Sequence, residues 1–180
     1  MKAFFAETKE WIYTLIATCI LIFLIRTFLF SPVIVEGQSM LPNLHEGDRL
    51  FVNKIGMYVG EIERYDVVVF KNKKNKHYIK RVIGMPGDKV EFIDGKLYIN
   101  DQLLEENYIL GPEQHRNYSV QSLYGIERIP KDCYFVLGDN RNNSMDSRKR
   151  AIGLIHKNQI LGSANVIVWP ISRVNEVRPS

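Results

Sequence analysis

A mainly β domain over residues 31–180, carried behind one N-terminal transmembrane helix over residues 11–30, is the fold class the sequence predicts. Three observations predict it. Trp11–Phe30 is an apolar run of membrane length, everything after Pro32 falls into short Val-, Ile-, Phe- and Tyr-rich runs, and helical periodicity is nearly absent beyond residue 31. At 180 residues, 46% hydrophobic and 24% charged, the chain has a globular composition and room for one domain with an appendage.

The first element reads WIYTLIATCILIFLIRTFLF, 20 residues, which at about 1.5 Å per residue span roughly 30 Å, the thickness of a bilayer core. Its only charge, Arg26, lies one turn from the end, where a long stem reaches the interface. Trp11 and Tyr13 suit the opposite interface, and Ser31-Pro32 ends the helix. A cleavable leader would have a shorter apolar region and a small-residue cleavage site, whereas this run is too long and Phe28, Leu29, Phe30, Val33 and Ile34 are the wrong residues for cleavage. A buried core helix would show a polar face, which this run lacks. An uncleaved anchor is therefore expected. In the short segment 1–10, Lys2 and Lys9 offset Glu7 and Glu10, so composition leaves the orientation open.

Strands follow in order. Val33–Val35, Arg49–Asn53 and Val67–Phe70 are the first three, and His77–Ile83 is the fourth, closed by Gly84 and a Pro86-Gly87-Asp88 turn. Val90–Ile93 and Lys96–Ile99 flank Asp94-Gly95, the strongest hairpin signal in the chain. Tyr134–Leu137 runs into Gly138-Asp139, and Asn165–Trp169 stops at Pro170. Short turns are expected at Met40-Leu41-Pro42 and over His156–Ile160. Residues 100–130 are polar and are expected to form long connections or an excursion from the core. Ile55, Met57, Tyr58 and Val59, bracketed by Gly56 and Gly60, read either as a lipid-touching patch or as a core strand.

A net charge of +4 excludes little, but the one dense basic cluster, Lys71, Lys73, Lys74 and Lys76, alternates with Asn in a turn. Nucleic-acid binding wants a longer basic face with interleaved aromatics, so a solvated loop, or contact with anionic lipid head groups, is the better reading. Cys19 and Cys133 offer no disulfide framework. Zinc-ligand spacing, H-E-x-x-H and a Gly-rich phosphate loop are all missing, so no metal or cofactor is expected. His45, His77, His115 and His156 have no distinctive context and read as solvated surface residues rather than members of a Ser-His-Asp triad.

Three stretches carry chemistry. Ser39, in Val35-Glu36-Gly37-Gln38-Ser39-Met40-Leu41-Pro42, reads as a turn residue, a cap or a nucleophile. Lys80 lies inside the fourth strand, where Tyr78, Lys80 and Val82 share one face and Ile79, Arg81 and Ile83 the other. One of the two cations is therefore expected to point inward, and the pattern does not say which. A buried lysine is held toward its neutral form and becomes a competent base for a neighbouring serine. Gly138–Arg148 alone reads as a polar surface loop closed by an Asp146–Arg148 pair.

Together, Gln38-Ser39-Met40-x-Pro42, Tyr78-Ile79-Lys80-Arg81-Val82-x-Gly84-x-Pro86-Gly87-Asp88 and Gly138-Asp139-Asn140-Arg141-x-x-Ser144-x-Asp146-Ser147-Arg148-x-x-x-x-Gly153 resemble the type I signal peptidases, above all the small single-anchor type of Gram-positive bacteria. Tyr65-Asp66-Val67-Val68-Val69-Phe70 fits the strand between the first two blocks. The resemblance implies an all-β catalytic domain, of the fold shared with self-cleaving repressor domains, on the extracytoplasmic side of the cell membrane, with residues 1–10 in the cytoplasm. Ser39 would be the nucleophile, Lys80 its general base, and Ser144 a serine that orients the lysine by hydrogen bond. Asp139, Asp146, Arg148 and Arg81 would hold the site together. Val33, Val35, Leu44, Tyr78 and Ile79 would line shallow pockets for small residues one and three positions before the cut. Gly37 stands where some relatives carry an oxyanion-binding serine, which leaves more of that work to the Ser39 N–H. Preprotein signal peptides, membrane lipid and the secretion translocon are the implied partners, without cofactor or nucleic acid. Two other classes fit less well: the membrane-length run argues against a soluble Ser-Lys hydrolase, and an intact Ser39 and Lys80 argue against an inactive binding protein.

Overall fold

The computed structural model describes residues 2–28, 30–54, 62–72, 76–111, 113–114 and 116–177. The apolar patch around Met57 and Tyr58, His115 and residues 73–75 of the Lys71–Lys76 turn therefore lie outside the described residues.

Helix α1 (Lys2–Phe28) is 27 residues long. The side chains described along its middle, from Trp11 to Phe23, are all exposed. Among the described residues, no helix is long and apolar enough to cross a membrane. The helix stops two residues before the end of the expected span, and Phe30 already belongs to β1 (Phe30–Ile34).

The main sheet has eight strands. Beyond β1 they are β2 (Arg49–Asn53), β3 (Val67–Lys71), β4 (His77–Gly84), β9 (Cys133–Leu137), β10 (Ile155–His156), β11 (Ile160–Trp169) and β12 (Asn175–Glu176). Their order is β1-β2-β11-β3-β4-β9-β10, with β12 on β11, and every pairing is antiparallel. Strand β4 is central, between β3 and β9, and both of its faces are covered from Lys80 onward. The expected choice between Lys80 and Arg81 does not arise: Lys80 is 3% exposed and Arg81 0%. Strand β11 begins five residues before the expected one, because two register shifts break its alternation against β2. Only Lys157–Gln159 of the expected turn over 156–160 is helical, and it is a 3-10 turn.

A second, four-stranded sheet has the order β7-β6-β5-β8, built from β5 (Val90–Ile93), β6 (Lys96–Ile99), β7 (Gln102–Leu103) and β8 (Tyr118–Ser119). Asp94 and Gly95 join β5 to β6 with φ of 51° and 80°, the two left-handed residues of a tight hairpin. Residues 100–130 do more than connect. They supply β7, β8 and the short α2 (Val120–Tyr124), which Ser119 caps from its side chain. Tyr108, Tyr118, Val120 and Ile129 from this stretch pack with Phe92, Leu97 and Phe135 in one core. A separate core under β1, β2, β3 and β11 contains Val35, Met40, Leu44, Leu50, Val52, Val67 and Val69, and it seats the turn that bears Ser39.

Candidate active site

The chain leaves β1 and turns at Gly37, whose φ of +80° requires the left-handed region. A Cβ there would meet nothing within 4 Å, so backbone conformation, not crowding, selects glycine. Met40 and Leu44 then plunge into the core at 1% and 0% exposure, and Leu44 N donates to Met40 O at 2.9 Å. These two anchors fix the intervening turn and leave Ser39 half-buried at its edge. Asn140 ties the turn down from the other side: its N–H donates to Ser39 O at 3.0 Å and its Nδ2 to Gln38 O at 3.1 Å.

Lys80 meets this turn from β4. Its Nζ lies 2.7 Å from Ser39 Oγ and 2.7 Å from its neighbour Ile79's carbonyl oxygen. Burial pushes the amine down from 10.5 to about 8, against the opposing pull of Asp146 and Asp139. About a tenth of such an amine is neutral at pH 7, against fewer than about one in a thousand for an ordinary lysine. None of the described histidines bonds Ser39; His45, His77 and His156 are exposed.

Arg81 points to the opposite face of β4 and grips Asp139 with two hydrogen bonds, Nε–Oδ1 at 2.8 Å and Nη2–Oδ2 at 2.6 Å. Asn43 Nδ2 donates to the same carboxylate at 2.8 Å. Arg81 also lies 4.7 Å from the Tyr108 ring centre and donates to Tyr65 O and Val177 O. Asp139 is therefore held from β4 and from the Ser39 turn at once.

The Gly138–Arg148 segment is not a surface loop. Asp146 and Arg148 do pair, at 2.7 Å, but both are buried, and Asp146 also accepts the Gly138 N–H at 3.1 Å. Gly138 has to be glycine, because a Cβ would fall on Ser144 Oγ and within 2.5 Å of Ser39 O. Ser144 Oγ is buried and meets no partner at hydrogen-bonding geometry, although it lies near enough to Asp146 to help keep that carboxylate ionised. The bond from Ser144 to Lys80 implied by the resemblance is not made, because Ser144 packs against Gly138 instead.

Behind this loop lies a network whose outer members the sequence did not reveal. Arg141 donates to Glu106 and Glu113, and Arg148 Nη1 reaches Glu113 at 2.8 Å. Arg141 and Arg148 are further tied to the carbonyls of Gly138 and Arg141. Arg141 sat in the quoted motif without an assigned role. Glu106 and Glu113 come from the polar 100–130 stretch, where nothing in the local sequence sets them apart from its other acids.

Of the residues expected to line small-residue pockets, Val35 and Leu44 are buried in the core, with Val33 and Ile79 half-buried against it, while Tyr78 packs on the other face of β4. Among the described residues, no group of His, Cys, Asp and Glu is placed to hold a metal.

Comparison with known proteins agrees over nearly the whole chain. Residues 8–169 match the family described as signal peptidase, peptidase S26. Signal peptidase I P of Bacillus subtilis subsp. natto is 42% identical over 94% of this chain and 93% of its own length. Signal peptidase IB of Staphylococcus aureus is 40% identical over 92% of each chain. The crystal structure of a signal peptidase I from Enterococcus faecalis matches with a TM-score of 0.51 and 32% identity, covering 57% of this chain and 96% of that one.

Proposed function

This chain belongs to the signal peptidase family, peptidase S26, and on that premise we propose that it removes N-terminal signal peptides from secreted preproteins with a Ser39–Lys80 dyad. The observation that carries the dyad is the 2.7 Å contact between the amine of the buried Lys80 and the Ser39 hydroxyl. Neutral Lys80 takes the Ser39 proton as Oγ attacks the carbonyl of the residue before the cut. The Ser39 N–H receives the oxyanion. The ammonium then protonates the leaving amine, the C–N bond breaks, and an ester joins the signal peptide to Ser39. Water activated by Lys80 hydrolyses the ester, releases the carboxylate and restores the hydroxyl. Asp139, Asp146, Arg81 and Arg148 act as positioning residues, with Ser144 beside them.

The signal peptide lies extended along β1, with small side chains facing Val33, Val35, Leu44, Tyr78 and Ile79, so that cleavage follows small residues in an A-x-A-like pattern. Residues 11–30 anchor the enzyme as a single-pass protein of the cell membrane, with 31–180 outside, next to the translocon that delivers preproteins. The apolar run of the sequence supports the anchor. Lipid contact beyond it is supported by the outer face of β1, β2 and β11, where Ile34, Phe51, Val166 and Trp169 are all exposed. Purified Ser39→Ala and Lys80→Ala full-length proteins should fail to cleave a preprotein in detergent, and full activity in either would sink the dyad.

A further inference from the structure

Asn140 stands at the head of a short 3-10 turn, Arg141–Asn143, where an asparagine side chain ordinarily caps the turn that follows. It makes no such bond. Its side-chain amide reaches instead to a partner 102 residues earlier in the chain, Nδ2 donating to Gln38 O at 3.1 Å. Its backbone N–H donates to Ser39 O at 3.0 Å. One residue therefore holds the carbonyls on both sides of the Ser39 Cα. At 9% exposure it does so largely out of reach of water, which would otherwise compete for both acceptors.

The consequence falls on the nucleophile's own amide. The Gln38–Ser39 peptide is trans, so its C=O and N–H point in opposite directions within one rigid plane. Gln38 O is pinned by Asn140 Nδ2 and, at 3.3 Å, by the Leu41 N–H. The Ser39 N–H is thereby turned away from Asn140. Just upstream lies Gly37, the most permissive kind of residue, so the plane needs a hold from outside its own segment. Gly37 also supplies no hydroxyl, which makes the aim of this single N–H decisive for the oxyanion.

We infer that Asn140 is a positioning residue for the oxyanion donor: its side-chain amide fixes the Gln38–Ser39 peptide plane, and with it the direction of the Ser39 N–H, without touching the Ser39–Lys80 pair. This role rests on the dyad reading above and adds to it. Simple fastening of the loop is the rival role, and it gives a different pattern of losses.

Two neutral variants of the full-length protein separate them: Asn140→Leu, of similar size without the donor, and Asn140→Ala. Both are assayed on a preprotein in detergent beside the unaltered enzyme and Ser39→Ala. Each should lower kcat about 30-fold, within the roughly 100-fold that a misplacement of about 1 Å costs, and change KM less than about two-fold. A peptide boronate ending in alanine forms a tetrahedral adduct on Ser39 with a hydroxyl where the oxyanion develops. It should bind both variants about 30-fold more weakly. The pH at which cleavage rises should not move, because Lys80 bonds Ser39 Oγ and Ile79 O, not Asn140. Circular dichroism reports folding, and Asn140→Ala, which adds no bulk, decides if Asn140→Leu does not fold. Full kcat in the variants, a lower kcat with unchanged boronate affinity, or a KM or pH midpoint that shifts along with kcat would each overturn the role; the last is what a loosened loop produces. Cleavage by Ser39→Ala would refute the dyad instead.

Discussion

Replacing Lys80 with methionine should abolish cleavage and yet stabilise the fold at neutral pH. An ordinary lysine titrates near 10.5 and Lys80 near 8, so at about 1.4 kcal/mol per pH unit the fold disfavours the charged amine by roughly 3.4 kcal/mol. The folded-state value is the lower one. Between about pH 8 and 10.5 the unfolded chain binds a proton that the folded chain does not, so stability rises with pH across that window, and below it the full cost is present. Methionine matches the stem without the charge but forfeits the bonds to Ser39 and Ile79, together about 1–2 kcal/mol. The net gain at pH 7 should be about 1–2 kcal/mol, shrinking to zero or reversing by pH 10.5. Urea unfolding of both full-length proteins in mild detergent, followed by circular dichroism at the two pH values, reads the difference directly. A methionine variant that is less stable at pH 7, or a difference that does not change with pH, would refute the reasoning.

Two further outcomes follow from the surrounding shell. Glu113→Ala leaves the buried Arg141 and Arg148 each short of a carboxylate, and should cost about 3 kcal/mol by the same unfolding measurement. Gly138→Ala drives a methyl into Ser144 and the Ser39 carbonyl. It should cost at least about 1–3 kcal/mol and reduce kcat far more than KM, because the displaced atoms carry the nucleophile.

Much of the fold was legible because its signals are local. Strands β2, β5 and β6 have the expected bounds, and Asp94-Gly95 supplied the turn between the last two. Strand β11 was half-read because bulges hide alternation. The orientation of β4 was illegible because a central strand covered on both faces has no outside to which a cation can be assigned. The left-handed φ of Gly37 belongs to the turn into Ser39, and no residue pattern announced it. The ion network linking Glu106 and Glu113 to Arg141 and Arg148 joins residues 28 to 35 positions apart, and no periodicity reports such a pairing. Ser39 and Lys80 came from spaced blocks of residue types, and it is the fold that brings them within hydrogen-bonding distance.

The central claim is that Lys80 is uncharged often enough to act as the base for Ser39. Titration of the ¹³Cε resonance of Lys80 in the full-length protein, assigned by its loss in Lys80→Met, measures this directly. The structure predicts a midpoint near 8 that coincides with the rise of preprotein cleavage with pH. A midpoint near 10.5, or cleavage that rises independently of it, would contradict the account.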